Sequence, residues 1–231
     1  MQYQGGSKMS EKKVALIIGG TSDIGQAIIK VLEVEYQIYF TYFSNDELAK
    51  RTSGVGMHCD IQNIRSIRMV FRQFPKLDLM VTCAFPFIEN DVLEFSSYLE
   101  TEPYLRGHVV AVCEAAKKMN SGGKVINLLG QCVDRGLAGA PYYAAAYAYL
   151  RNLAMSINAS HGRAGRLSVH DILLGPVNTK LWRGVSKEVM TRYRNLVARF
   201  IEPREVAEAV LYIARSEIGP TTFKLDAFYS L

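Results

Sequence analysis

The sequence predicts an α/β fold, a doubly wound parallel sheet with helices on both faces, in a single domain of residues 12–231. Three observations predict it. Short β-type runs alternate with stretches of helical periodicity along almost the whole chain, the pattern of a parallel sheet whose crossovers are helices. The first strand passes straight into a glycine turn and a helix over Val14 to Gly25. A chain of 231 residues with 49% hydrophobic content can bury one full core.

Taken in order, residues 1–11 are polar and Gly-containing and read as a flexible leader. The apolar run Val14 to Ile18 is a buried strand, and QAIIKVLE after Gly25 continues a helix over 24–33. Further strands are expected at 37–42, 55–59, 77–83, 124–129, 167–174 and 223–226. Between them, helical spacing predicts helices at 46–51, 63–74, 103–120, 142–160, 187–198 and 203–215. Ligands on such a sheet sit at the carboxyl ends of the strands, at the switch point beside the first strand.

Composition narrows the function. The net charge of +5 comes from scattered Lys and Arg, with local enrichment at Arg163 to Arg166 and Arg192 to Arg199. A solvated face or dimer rim explains it better than nucleic acid. Cys59, Cys83, Cys113 and Cys132 are far apart and lack zinc-site spacing, so no metal is expected. They read as reduced core thiols of a cytoplasmic protein. The longest apolar runs are strand-length, so no membrane span is expected. His58 and His108 fall within a strand and a helix and read as structural imidazoles, whereas His161 and His170 flank a turn and are expected in solvent.

The segment Val14 to Gly25 carries the chemistry. A buried strand, glycines that let backbone N–H groups approach, and the positive end of a helix dipole are what holding a nucleotide pyrophosphate requires.

From Val14 to Asp226 the chain resembles the short-chain dehydrogenase/reductase family, whose members bind NAD(P) on a Rossmann-like fold and usually oxidise alcohols or reduce ketones. Gly19-Gly20-Thr21-Ser22-Asp23-Ile24-Gly25 resembles the G-x-x-x-G-x-G turn, with Asp23 in place of the middle glycine. Asp60-Ile61 resembles the pair whose carboxylate accepts a hydrogen bond from the adenine amino group. Leu77 to Val81 and Lys124 to Leu128 match two central strands, and Pro203 to Ile213 a late helix. The loop Gly175-Pro176-Val177-Asn178-Thr179 is similar to the family's loop near the nicotinamide. The resemblance implies cofactor contacts from these segments and from Cys83, Ala84 and Phe85 after the fourth strand.

The catalytic positions depart from the family. Its Y-x-x-x-K pair places a proton-donating tyrosine and a pKa-lowering lysine on one helix face. Here the tyrosine is Tyr143, and Tyr147 stands where the lysine belongs, as a packing or ribose-contacting residue. The family's serine has become Gly130, followed by Gln131 and Cys132, and its asparagine has become Tyr104. N-N-A-G has become Thr82-Cys83-Ala84-Phe85. A phenol ionises near pH ~10 without a neighbouring cation. Each lost group removes roughly 10² to 10³ in rate, so ordinary ketone reduction is expected to be slow.

Cofactor choice is read after the second strand, where an acid would accept bonds from the ribose hydroxyls and repel a 2′-phosphate. Phe43, Ser44 and Asn45 offer no carboxylate before Asp46, which favours NADP(H) over NAD(H). The substrate loop, 180–201, carries Leu181, Trp182, Val185, Val189, Met190 and Tyr193, and with Phe85 and Phe87 predicts an apolar pocket. Two functional readings follow. One is an atypical NADP(H)-dependent oxidoreductase acting on a small apolar or conjugated carbonyl substrate. The other is a non-catalytic partner of an active paralogue, or a cofactor-sensing module. A homodimer or homotetramer is expected on the helices around 103–120 and 142–160.

Overall fold

The computed structural model describes residues 12–89, 91–162 and 165–227; the expected leader, Arg163 and Ala164 of the first basic stretch, and residue 90 lie outside them, as do residues 228–231. Seven strands form one sheet: β1 Lys13–Ile18, β2 Tyr36–Tyr42, β3 Val55–His58, β4 Leu77–Thr82, β5 Met119–Gly130, β6 Leu167–Leu174 and β7 Thr222–Leu225. Their order is β3-β2-β1-β4-β5-β6-β7, and every neighbouring pair is parallel. The chain therefore winds outward from β1 in both directions, and the switch point falls between β1 and β4.

The helices are α1 Asp23–Leu32, α2 Asp46–Arg51, α3 Ile64–Arg72, α4 Phe95–Lys118, α5 Pro141–His161, α6 Lys187–Leu196 and α7 Pro203–Arg215. Because β side chains alternate between faces, each central strand feeds two cores. On one face Ala15, Ile17, Val81, Ile126 and Ile172 pack against Ile28, Leu32, Val206 and Val210 of α1 and α7. On the other, Leu16, Met80, Val125 and Val169 pack against Ile67 and Phe71 of α3, Ala111 and Ala115 of α4 and Ala154 of α5. No described helix is long and apolar enough to cross a membrane.

Several expectations are corrected. Helix α4 begins at Phe95 rather than near 103 and runs through Pro103. Proline removes one ladder bond, a loss of about 3 kcal/mol in a helix interior, but the preceding turns are anchored by buried Ser97 and Thr101, whose Oγ1 donates to the Ser97 carbonyl at 3.2 Å. Strand β5 begins at Met119 rather than 124, because Leu77 pairs with Met119 and Leu79 with Lys124, so the extra residues bulge out. His170 is fully buried, since it lies within β6 rather than at its mouth; its Nε2 meets Ser168 Oγ at 2.9 Å. His58 is exposed at the end of β3, and Cys113 is exposed on α4 while Cys59 and Cys132 are buried.

Candidate active site

The phosphate turn is built by contacts that admit only glycine. Gly19 has φ +88°, and a Cβ there would lie 2.9 Å from the Ala84 Cβ. A Cβ on Gly25 would lie 2.8 Å from the Gly20 Cα, so α1 can start tight against the turn only with glycine there. Ser22 caps α1: its Oγ accepts from the Gly25 N–H at 3.0 Å and donates to the Gly19 carbonyl at 2.8 Å. Gly19 N–H in turn donates to Thr41 Oγ1 at 3.0 Å, which ties the turn to β2. Such a cradle, with the positive end of α1 behind it, fits a dinucleotide pyrophosphate.

Asp23, the first residue of α1, has a partner. Its Oδ2 accepts from the Lys180 N–H at 2.7 Å, and its Oδ1 lies 3.5 Å from Lys180 Nζ. Sequence reasoning missed this tie. Its signal was the carboxylate itself, which at an anion-binding turn calls for a cation.

The turn opens into a cleft of about 330 Å³ at the carboxyl ends of the central strands. Thr21, Ser22, Asp23, Ile24, Asn45, Cys83, Ala84, Phe85, Tyr143, Tyr147, Gly175, Val177 and Thr179 all line it. Gly19 and Gly25 form the turn behind these residues, whereas Phe43, Ser44, Asp60 and Ile61 lie outside its wall. Asn45 caps α2 through Oδ1, which accepts from the Leu48 N–H at 3.2 Å. Phe43 is exposed beside His58, ring centroids 5.7 Å apart. Asp60 lies two residues past β3, and its Oδ1 accepts from the Gln62 N–H at 2.9 Å.

The inner cleft is aromatic. Phe85 lies at its centre, with ring centroids 5.9 Å from Tyr104, 5.2 Å from His108, 5.7 Å from Tyr143 and 5.0 Å from Tyr147. Phe87 adds contacts to Tyr143 at 5.2 Å and Trp182 at 6.4 Å. Trp182 is held by its indole N–H, which donates to the Val177 carbonyl at 2.6 Å. From the substrate loop, Leu181 and Trp182 reach this wall, Val189 is buried behind Phe87, and the Tyr193 side chain lies outside the described residues.

Electrostatically the inner cleft is neutral. Burial pushes the Cys83 and Cys132 thiols up to about 12, so both remain protonated and neither is an activated nucleophile. His108 Nδ1 lies 2.9 Å from the Tyr104 carbonyl, which can only accept, so the ring donates there; burial pushes its pKa down to about 4. Burial also raises Tyr104 and, more strongly, Tyr147. Gln131 is buried in the wall, and its Oε1 has no partner among the described residues. Of the lysines and arginines among the described residues, only Lys180 lines this cleft.

A family model described as enoyl-(acyl carrier protein) reductase matches residues 19–222. The chain belongs to the short-chain dehydrogenase/reductase family. It is 26% identical over 223 residues to carbonyl reductase family member 4 of Danio rerio, covering 88% of this chain and 92% of that protein. To the acetoacetyl-CoA reductase of Rhizobium meliloti it is 27% identical, covering 90% and 92%. Among solved structures, a short-chain dehydrogenase/reductase from Serratia marcescens superposes with a TM-score of 0.85 at 25% identity, covering 95% of this chain and 98% of that one. BdcA in complex with NADPH gives 0.82 at 24% identity, covering 94% and 93%.

Proposed function

We propose that the protein is an NADP(H)-dependent oxidoreductase that reduces a small apolar or conjugated carbonyl compound, with Tyr143 giving a proton to the substrate oxygen. One arrangement carries this reading: the phosphate cradle and Tyr143 line the same cleft, joined by aromatic walls. When bound, reduced nicotinamide supplies the hydride. The protein's part is to hold the dinucleotide at Gly19 to Gly25, to orient a flat substrate against Phe85, Phe87 and Trp182, and to exclude water. With Asp23 and Lys180 paired at the mouth and no other Asp, Glu, Lys or Arg among the described residues lining the cleft, a neutral substrate fits and a charged one would be desolvated without a partner.

NADP(H) is favoured over NAD(H) by the absence of a carboxylate between Phe40 and Asn45 and by exposed His58 beside Phe43, an imidazole able to face a 2′-phosphate. The NADPH complex of BdcA agrees with it. The test is NADPH oxidation with a panel of neutral conjugated carbonyls. Tyr143→Phe is expected to lower the rate roughly 100-fold or more; an unchanged rate would make Tyr143 structural.

A second reading, a non-catalytic partner of an active paralogue, is favoured by one observation: among the described residues, Lys180 at the mouth is the one lysine or arginine lining the cleft. Cofactor binding without turnover of any panel member would support it. For either reading we propose self-association through α4 and α5, which leave Phe95, Leu99, Tyr149 and Met155 exposed.

A further inference from the structure

The two lost catalytic groups, serine and lysine, are one packing solution. Tyr143 and Tyr147 lie one turn apart on α5, so their side chains share a face. Their rings meet edge to face at 4.4 Å, and at rest the Tyr143 hydroxyl is the one that donates to Tyr147. Tyr147 is only 5% exposed, packed with Phe85, Leu129, Cys132, Leu150 and Leu173. Opposite its ring stands Gly130. The backbone there is ordinary, φ −72° and ψ 141°, so nothing local demands glycine. A Cβ, however, would lie 3.0 and 3.1 Å from two Tyr147 ring carbons and 3.2 Å from Cys132 Sγ. A serine side chain there would require the tyrosine ring to give way by a few tenths of an ångström.

We propose that Tyr147 is the positioning residue for Tyr143, a neutral hydrogen-bond donor in the lysine's place, admitted by the missing side chain at Gly130. The inference rests on the reductase reading above. In reduction the substrate carbonyl carbon receives a hydride from reduced nicotinamide, the Tyr143 O–H bond breaks, and that proton forms the new O–H on the substrate oxygen. The phenolate left on Tyr143 accepts the Tyr147 O–H bond until a proton from water restores it. A buried Tyr147 keeps its own proton, so its hydroxyl, the acceptor at rest, can turn to donate once Tyr143 has become a phenolate. A neutral donor stabilises the phenolate less than a cation does, so little Tyr143 phenolate stands ready as a base at neutral pH. The site therefore favours carbonyl reduction over alcohol oxidation.

The test is Tyr147→Phe, which removes one hydroxyl and keeps the ring. Loss of a hydrogen bond to a charged group is expected to lower kcat roughly 10- to 100-fold, with KM and the NADPH dissociation constant unchanged. A second readout needs no turnover: tyrosinate absorbance is titrated in wild type, Tyr143→Phe and Tyr147→Phe, and the ionisation that Tyr143→Phe removes is expected to move to higher pH in Tyr147→Phe. Unchanged kcat and an unmoved ionisation would overturn the proposal. If no substrate is ever turned over, the reductase reading fails, while the titration still decides whether Tyr147 donates to Tyr143. The packing half is tested by Gly130→Ser, expected to lower Tm by several degrees, about the effect of 1–2 kcal/mol of overpacking, and to lose most of that effect in a Tyr147→Ala background. Equal losses in both backgrounds would overturn the claim that Tyr147 excludes the serine.

Discussion

The Asp23 carboxylate and Lys180 tie the phosphate turn to the substrate loop: Oδ2 accepts from the Lys180 N–H at 2.7 Å while Oδ1 faces its ammonium at 3.5 Å. The carboxylate stabilises the start of α1, yet it is an anion at the place where the cofactor's phosphates are expected. Removing its charge while keeping an acceptor for Lys180 separates the two effects. Asp23→Asn is expected to tighten NADPH roughly threefold to tenfold at low salt, the scale of one like-charge contact in a solvent-exposed setting, with the gain shrinking as salt is added. Weaker binding on this substitution would show that the tie to Lys180 matters more than repulsion.

Stability should fall on mild acidification through buried groups. His108 and His170 have folded-state pKa values lowered to about 4, so each opposes proton uptake that the unfolded chain makes below its ordinary histidine range. Asp171, buried and bonded to the Asn127 amide at 3.0 Å, is raised to about 6 and acts in the opposite sense, taking up a proton in the folded state before the unfolded one. Between those values the unfolded chain binds two of these protons and the folded chain one. Stability therefore rises with pH by at most about 1.4 kcal/mol per unit in that window, and Asp171→Asn is expected to double the slope to about 2.7. Urea unfolding across the window measures it; equal slopes in the two proteins would contradict the assignment.

Introducing the family's lysine and serine together is expected to speed reduction of a simple activated ketone roughly 100-fold or more. Tyr147→Lys with Gly130→Ser returns the cation near Tyr143 and removes the ring that would have to give way to the serine. Gly130→Ser alone should give no such gain. Steady-state rates of the single and double variants check this, and a gain from the serine alone would contradict the packing argument.

Self-association is expected through the exposed apolar residues of α4 and α5. Analytical ultracentrifugation at micromolar concentration should give a dimer or tetramer, and Leu99→Lys with Tyr149→Lys should shift it toward the 25.8 kDa monomer. A monomer in the unmodified protein would contradict the proposal.

Legibility in the sequence followed from how local each constraint is. The run Val14 to Ile18 and the glycines after it are fixed by steric needs within a few residues, so strand, turn and helix could be placed from the sequence. The start of α4 could not, because Pro103 reads as a helix beginning while the turns before it are held by the buried Ser97 and Thr101. His170 was misplaced although the strand at 167–174 was expected, because its burial depends on what packs over β6, which no local pattern shows. At the site, Gly130 and Tyr147 were each legible as residues, but their contact was not. Gly130 and Tyr147 are seventeen positions apart, and only the folded chain sets the one against the ring of the other.

The central claim, that the cleft holds NADP(H), is tested most directly by titrating the intrinsic fluorescence of Trp182, the only tryptophan in the chain and part of the cleft wall. NADPH is expected to quench it saturably, with a dissociation constant roughly tenfold or more below that of NADH, the effect of an absent ribose-reading acid. No saturable quenching by either dinucleotide up to millimolar concentration would contradict the account.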